Sequence, residues 1–182
     1  GVTEEEIKSV IQEGTENGEV AEVEQDIMER AMVMGDQTVD HLMTYRTDVV
    51  TLDLKMNSQE VENVIHDTPY SNYPVVDGNL ENLCGVVSLK DLVMHLGKPG
   101  FNLNSCLKKP IFFPEHITVY KALEHLKKHH SNIAFVCDEL GAMLGVITFR
   151  DIFEGLVGTI TDQKELPDII ERADKKSWII SG

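Results

Sequence analysis

Gly85-Val86-Val87-Ser88-Leu89-Lys90-Asp91 and Gly145-Val146-Ile147-Thr148-Phe149-Arg150-Asp151 spell one pattern twice: a glycine, two aliphatics, a hydroxyl, two variable positions and an aspartate. Each position is offset from its counterpart by the same sixty residues, the mark of an internal repeat. The offset also sets Pro74-Val75-Val76 beside Ala134-Phe135-Val136. With a one-residue slip it sets Val61 and Ile65 beside Ala122 and Leu126.

Working outward, each copy switches periodicity in the same order. Val49-Val50-Thr51-Leu52 and Ile111-Phe112-Phe113 read as first strands, and Ser58 and Thr118 are hydroxyls suited to capping the amphipathic helices that follow. Tyr73 to Val76 and Ile133 to Val136 read as second strands. Asp77-Gly78-Asn79 and Asp138-Glu139-Leu140-Gly141 supply turns, and the glycine-led runs read as third strands ending in short helices that open at Ser88 and Thr148. The unit is β-α-β-β-α, an α/β (α+β) class in which one copy leaves an apolar sheet face that a second copy can cover.

Ahead of the repeats, Thr3-Glu4-Glu5-Glu6 has the form of a capping box, and Ile7, Val10 and Ile11 share a helical face before Gly14, Asn17 and Gly18 suggest a turn. From Glu19 a second helix is expected, with Val20, Val23, Ile27, Ala31 and Met34 at three- and four-residue steps and Gly35 as its stop. The expected division is an acidic helical linker over 1–36, repeats over 37–97 and 98–160, and a connector over 161–182 leading toward a further domain.

The chain has 182 residues, 42% of them hydrophobic, and a formal net charge of −15. Such a field disfavours partners bound through phosphate-backbone attraction, which excludes nucleic acid and anionic lipid surfaces. Cys84, Cys106 and Cys137 are odd in number and widely spaced, and read as reduced core thiols. No apolar run approaches the ~20 residues that cross a bilayer. The chain opens on Gly1 and closes on Ser181-Gly182, as an excised soluble piece would.

The paired Gly-x-x-Ser/Thr-x-x-Asp endings and the Tyr73-Pro74-Val75 strand resemble the CBS domain pair over roughly residues 37 to 160. The acidic helical preface, Leu42-Met43-Thr44 ahead of the first strand and the Trp178-Ile179 end are similar to the CorC/HlyC-type (CNNM-like) transporter family. That resemblance implies tandem repeats packed sheet to sheet with pseudo-two-fold symmetry, and a homodimer through the repeat helices. It further implies an attached membrane transport domain for divalent cations such as magnesium, a C-terminal domain, and a cytoplasmic location for this portion. It implies an adenine nucleotide as ligand, ATP or AMP, with Mg²⁺ accompanying ATP.

Residue by residue, the resemblance places Thr148 and Asp151 on the ribose hydroxyls, Thr44 near the phosphates, and Tyr70 and Pro74 around the adenine. Ile147 and Arg150 complete the set. Asn72 stands where relatives often carry an arginine, and Tyr45 where they often carry a proline. The chemistry is consistent on its own terms, because a carboxylate accepts from both ribose hydroxyls while a hydroxyl three residues earlier shares its side of the helix. The same spacing also caps a helix. Helix-start amides suit a phosphate, and Arg150, then Arg46, are the nearest full positive charges. Ser88 and Asp91 define a second, weaker site, because the matching lead-in Lys108-Lys109-Pro110 lacks the Met-Thr pattern.

Other motifs are set aside. His125 and His129 have the one-turn spacing of zinc ligands but lack a third ligand at a recognisable interval, and Gly97-Lys98 lacks the rest of a phosphate loop. Nothing assigns a nucleophile or general base, so no catalytic residue, metal site or enzymatic activity is expected. The competing expectation is a ligand-free dimerisation scaffold in which the motif residues serve only as caps.

Overall fold

A computed structural model of the chain describes residues 1–158; the expected connector over 161–182 lies outside the described residues. Among the described residues, contacts divide the chain into a unit of residues 35–152 and a second unit formed by residues 1–34 and 153–158.

The larger unit holds both repeats as far as the first turn of the last described helix. Its first sheet has the order β2-β3-β4, from β2 (Leu52–Asp53), β3 (Asn72–Asp77) and β4 (Asn79–Ser88), with β2 parallel to β3 and β3 antiparallel to β4. Helix α3 (Ser58–Asp67) connects β2 to β3, and α4 (Leu89–His95) follows β4. The second sheet repeats this arrangement with β5 (Phe112–Pro114), α5 (Val119–Lys128), β6 (Ile133–Cys137), β7 (Met143–Thr148) and α6 (Phe149–Val157). It also takes in β1 (Thr44–Tyr45), which runs antiparallel along β7 to give the order β1-β7-β6-β5. This is the tandem βαββα architecture expected from the sixty-residue repeat.

Alternation along the strands builds two cores at once. Tyr73, Val75 and Val87 pack with Leu52, Val61 and Leu92 on the helix side of the first sheet. Val76, Leu80 and Val86 meet Ile133, Phe135, Met143 and Val146 between the sheets. The apolar face that one copy could not cover is thus covered by the other. The turns behave as expected: Gly78 and Gly141 take φ of +92° and +83°, a region that favours glycine.

Three sequence readings need correction. Val49-Val50-Thr51-Leu52 is not a full strand, since only Leu52 joins β2. Val49 packs against the intersheet core and Val50 against the first-repeat core, so this apolar run is a crossover between cores. The cap of α3 is Asn57, not Ser58: its side chain accepts from the Glu60 amide at 2.9 Å and the Glu60 carboxylate accepts from the Asn57 amide at 3.2 Å. In the N-terminal unit, α1 (Glu4–Glu16) is capped by Thr3 as expected but runs through Gly14, and α2 (Glu22–Met34) starts three residues later than Glu19. A Cβ at Gly14 would lie 3.0 Å from Val20 Cγ2, so this glycine serves close packing within a helical hairpin and does not break the helix.

Candidate functional site

The glycine that opens each repeated motif has a definite task. An ideal Cβ at Gly145 would fall 2.2 Å from the carbonyl oxygen of Thr44, and one at Gly85 would fall 2.8 Å from that of Lys108. Both glycines admit a crossing main chain. Thr44 pairs with Val146 on β7, and Lys108 forms an antiparallel bridge to Val86 on β4 through N–H···O bonds of 2.8 and 3.0 Å. Each repeat therefore lends its lead-in segment to the sheet of the other.

At the end of β7 this exchange gathers part of the anticipated site. The Asp151 amide donates to Thr148 Oγ1 at 3.1 Å, and the Thr148 amide donates to Asp151 Oδ2 at 2.9 Å. This reciprocal pair fixes the first turn of α6. Ile147 is fully buried beneath it, Thr148 and Asp151 are half-buried, and Arg150 is exposed. Thr44 is exposed on the neighbouring strand, opposite Val146, two residues before Thr148.

Tyr70, Asn72 and Pro74 form a second group on the other sheet. Tyr73 is fully buried. Its hydroxyl donates to the Thr68 carbonyl at 2.6 Å and accepts from the Tyr70 amide at 2.8 Å. Burial pushes its phenol above the usual range. The Tyr70 ring meets Tyr73 edge-on at 6.1 Å and keeps 48% of its surface exposed. Pro74 is buried opposite Val86, and Asn72 pairs with Ser88. A Tyr73→Phe variant should lose about 1–3 kcal/mol of stability, because it leaves a donor and an acceptor unmatched. Urea unfolding measures this, and an unchanged midpoint would show that the loop is held by other contacts.

The ladder neighbour of the Thr148 turn is Asn132, whose carbonyl accepts from the Phe149 amide at 2.9 Å. Sequence reading passed over it, although the sixty-residue offset from Asn72 points to it. An open depression of about 490 Å³ lined by Leu126, Lys127, His130, Ser131, Asn132 and Phe149 contains none of the anticipated nucleotide residues.

Arg46 is engaged within the protein: it forms an ion pair with Glu81 and donates to the Met143 carbonyl at 3.0 Å. It ties the two sheets together, which accounts for it without a phosphate. Upstream of Thr44, the Asp40 carboxyl is held below its usual range, chiefly by the Thr38 hydroxyl donating to it. The adjoining backbone bonds Val39 N to Ile117 O at 3.0 Å and Val119 N to Gln37 O at 3.0 Å fasten the lead-in to the start of α5. The His125 and His129 rings stack at 6.4 Å. Among the described residues, no group of three or more His, Cys, Asp or Glu side chains is placed to hold a metal ion.

Two βαββα repeats with exchanged lead-ins and a hydroxyl–carboxylate turn closing each third strand define a tandem-repeat module of the CBS type. The chain belongs to the CBS domain family, whose profile matches residues 39–98 and 106–158. It is similar to the UPF0053 protein sll0260 of Synechocystis, with 34% identity over the whole of this chain and 41% of that protein. The structure also matches the CBS domain of the bacterial CNNM/CorC family Mg²⁺ transporter, with a TM-score of 0.77 and 25% identity, covering 88% of this chain and 99% of that one. The same domain in complex with ATP gives a TM-score of 0.69 and 25% identity, over 75% of this chain and 99% of that one. The chain spans about two fifths of the length of its Synechocystis relative. Among the described residues, no helix is long and apolar enough to cross a membrane.

Proposed function

We propose that this CBS pair binds an adenine nucleotide, ATP with Mg²⁺ or AMP, and that binding regulates an attached membrane transport domain for divalent cations from the cytoplasmic side. The observation that carries the reading is the Thr148–Asp151 turn, set by the exchange of lead-ins beside Thr44 on the adjacent strand. A carboxylate and a hydroxyl in one helical turn match the paired hydroxyls of a ribose. The first-turn amides of α6 and the Arg150 guanidinium suit phosphate, and the exposed Tyr70 ring offers a stacking face for adenine. The ATP complex of a similar CBS domain supports the same ligand class.

Coupling follows from population shift: a ligand contacting Thr44 and the β7–α6 turn together favours whichever arrangement of the repeats brings them into register. Asn72 supplies no charge where an arginine would, and the chain carries a net charge of −15. A divalent ion that offsets phosphate charge should therefore strengthen ATP binding. Calorimetric titration is expected to show ATP binding more tightly with Mg²⁺ than in EDTA, and AMP binding with little dependence on the ion. Equal or tighter ATP binding in EDTA would remove the role of Mg²⁺, and no binding of either nucleotide at millimolar concentration would remove the function.

A second reading, a dimerisation scaffold, is favoured by the exposed apolar side chains of the repeat helices: Val93 and Met94 are 63% and 58% exposed, and Phe149 is 42% exposed. Burying such side chains between copies fits a homodimer. Light scattering at high protein concentration should give twice the chain mass. A monomer mass would count against pairing through these helices.

A further inference from the structure

The two motif ends are built alike, and the residue that crosses the third strand is one of the positions at which they differ. Val86 and Val146 are sixty residues apart, and the segments crossing them place Lys108 on the first and Thr44 on the second. Gly85 and Gly145 make the close approach possible in both cases. Lys108 is therefore the pseudo-symmetric counterpart of Thr44. Its ammonium lies 3.6 Å from Asp91 Oδ2, on the carboxylate that corresponds to Asp151.

We infer that Lys108 determines which cleft takes nucleotide: it closes the first-repeat cleft by seating an internal cation on Asp91. This rests on the ribose-binding reading of the motif acids given above. The carboxylate that would accept two ribose hydroxyls faces a charged donor from its own chain, and a neutral hydroxyl competes poorly with an ammonium for the same oxygens. With side chains 68% and 33% exposed, Lys108 and Asp91 form a solvent-accessible pair of modest strength, one that a single substitution relieves. Ser88 still caps α4, accepting from the Asp91 amide at 3.1 Å, so the cleft keeps its frame.

The opposite role for Lys108, a phosphate anchor, makes the reverse prediction. The test counts nucleotide sites per chain by calorimetry and equilibrium dialysis, with ATP·Mg²⁺ and AMP, in the parent chain and in Lys108→Thr. The variant is expected to bind one more nucleotide per chain than the parent, and adding Asp91→Ala should remove that extra site. The bridge to Val86 is made by main-chain atoms and tolerates a new side chain; should threonine disturb the fold, Lys108→Ala carries the same expectation. Unchanged or reduced stoichiometry in a folded variant would overturn the inference. The parent's own stoichiometry reports separately on the proposed function: a parent that binds nothing defeats that reading, while the gain expected of the variant is still measured against it.

Discussion

Asp151→Ala is expected to weaken adenine-nucleotide binding by about 10- to 100-fold, on the basis of about 1.5–3 kcal/mol for hydrogen bonds to a charged group. The carboxylate accepts from the Thr148 amide, and under the proposed function it also accepts from the ribose; the variant removes both. Asp151→Asn separates them. An asparagine oxygen still accepts from the Thr148 amide, so the cap survives and the melting temperature should stay near that of the parent. Alanine should cost up to about 1 kcal/mol of stability, because the reciprocal bond from the Thr148 amide is lost while Thr148 Oγ1 still accepts from the amide of residue 151. Affinity should fall in the order parent, Asn, Ala, while stability drops only at Ala. If the alanine variant melts lower yet both variants bind ATP and AMP as well as the parent, Asp151 serves only the capping box, and the scaffold reading gains the ground that the sensor reading loses.

The repeat was legible because it is written in local chemistry. Turn glycines, a capping hydroxyl and alternating aliphatics each constrain a few neighbouring residues, and two copies at a fixed offset reinforce one another. Thr118, Ser88 and Thr148 were identified as caps in this way, and each accepts from the amide three residues on. Asn57 was missed in favour of Ser58 because both side chains can cap; Glu60, three residues after Asn57, was the deciding signal.

Non-local contacts made through main chain were not legible. Thr44 meets Gly145, and Lys108 meets Gly85, through backbone oxygens that leave no side-chain signature of the partner. The one trace is the glycine itself, which inside a strand points to a close approach without saying what approaches. The Arg46–Glu81 pair escaped because its partners lie far apart in sequence, and an arginine that reads as a phosphate ligand proves to be a fastener between sheets. For the site, sequence located the residues at the end of each third strand. It did not show that the partner strand comes from the other repeat, nor that Asn132 is the ladder neighbour of the Thr148 turn.

Gly145→Ala tests that exchange most directly. The added methyl would meet Thr44 O at 2.2 Å, Thr44 C at 3.1 Å and Met43 Sδ at 3.3 Å, and the first two are backbone atoms that cannot rotate away. Either β7 shifts, disturbing the intersheet core at Val146, or β1 lifts off its edge. Only two residues hold β1 to β7, so lifting is the easier escape, but it also strains the Arg46 bond to Met143 O. Overpacking of this kind costs about 3 kcal/mol, which lowers the melting temperature of a chain this size by about 6–12 °C. Gly85→Ala should cost less, because its nearest approach is 2.8 Å and its next neighbours belong to the Leu107 side chain, which can adjust. Nucleotide binding measured well below the melting temperature should drop in Gly145→Ala, since Thr44 leaves its register opposite Val146, two residues before Thr148, and should hold in Gly85→Ala. A Gly145→Ala protein that melts within about 2 °C of the parent and binds nucleotide normally would mean that β1 is not pinned to β7 as tightly as the 2.2 Å approach requires.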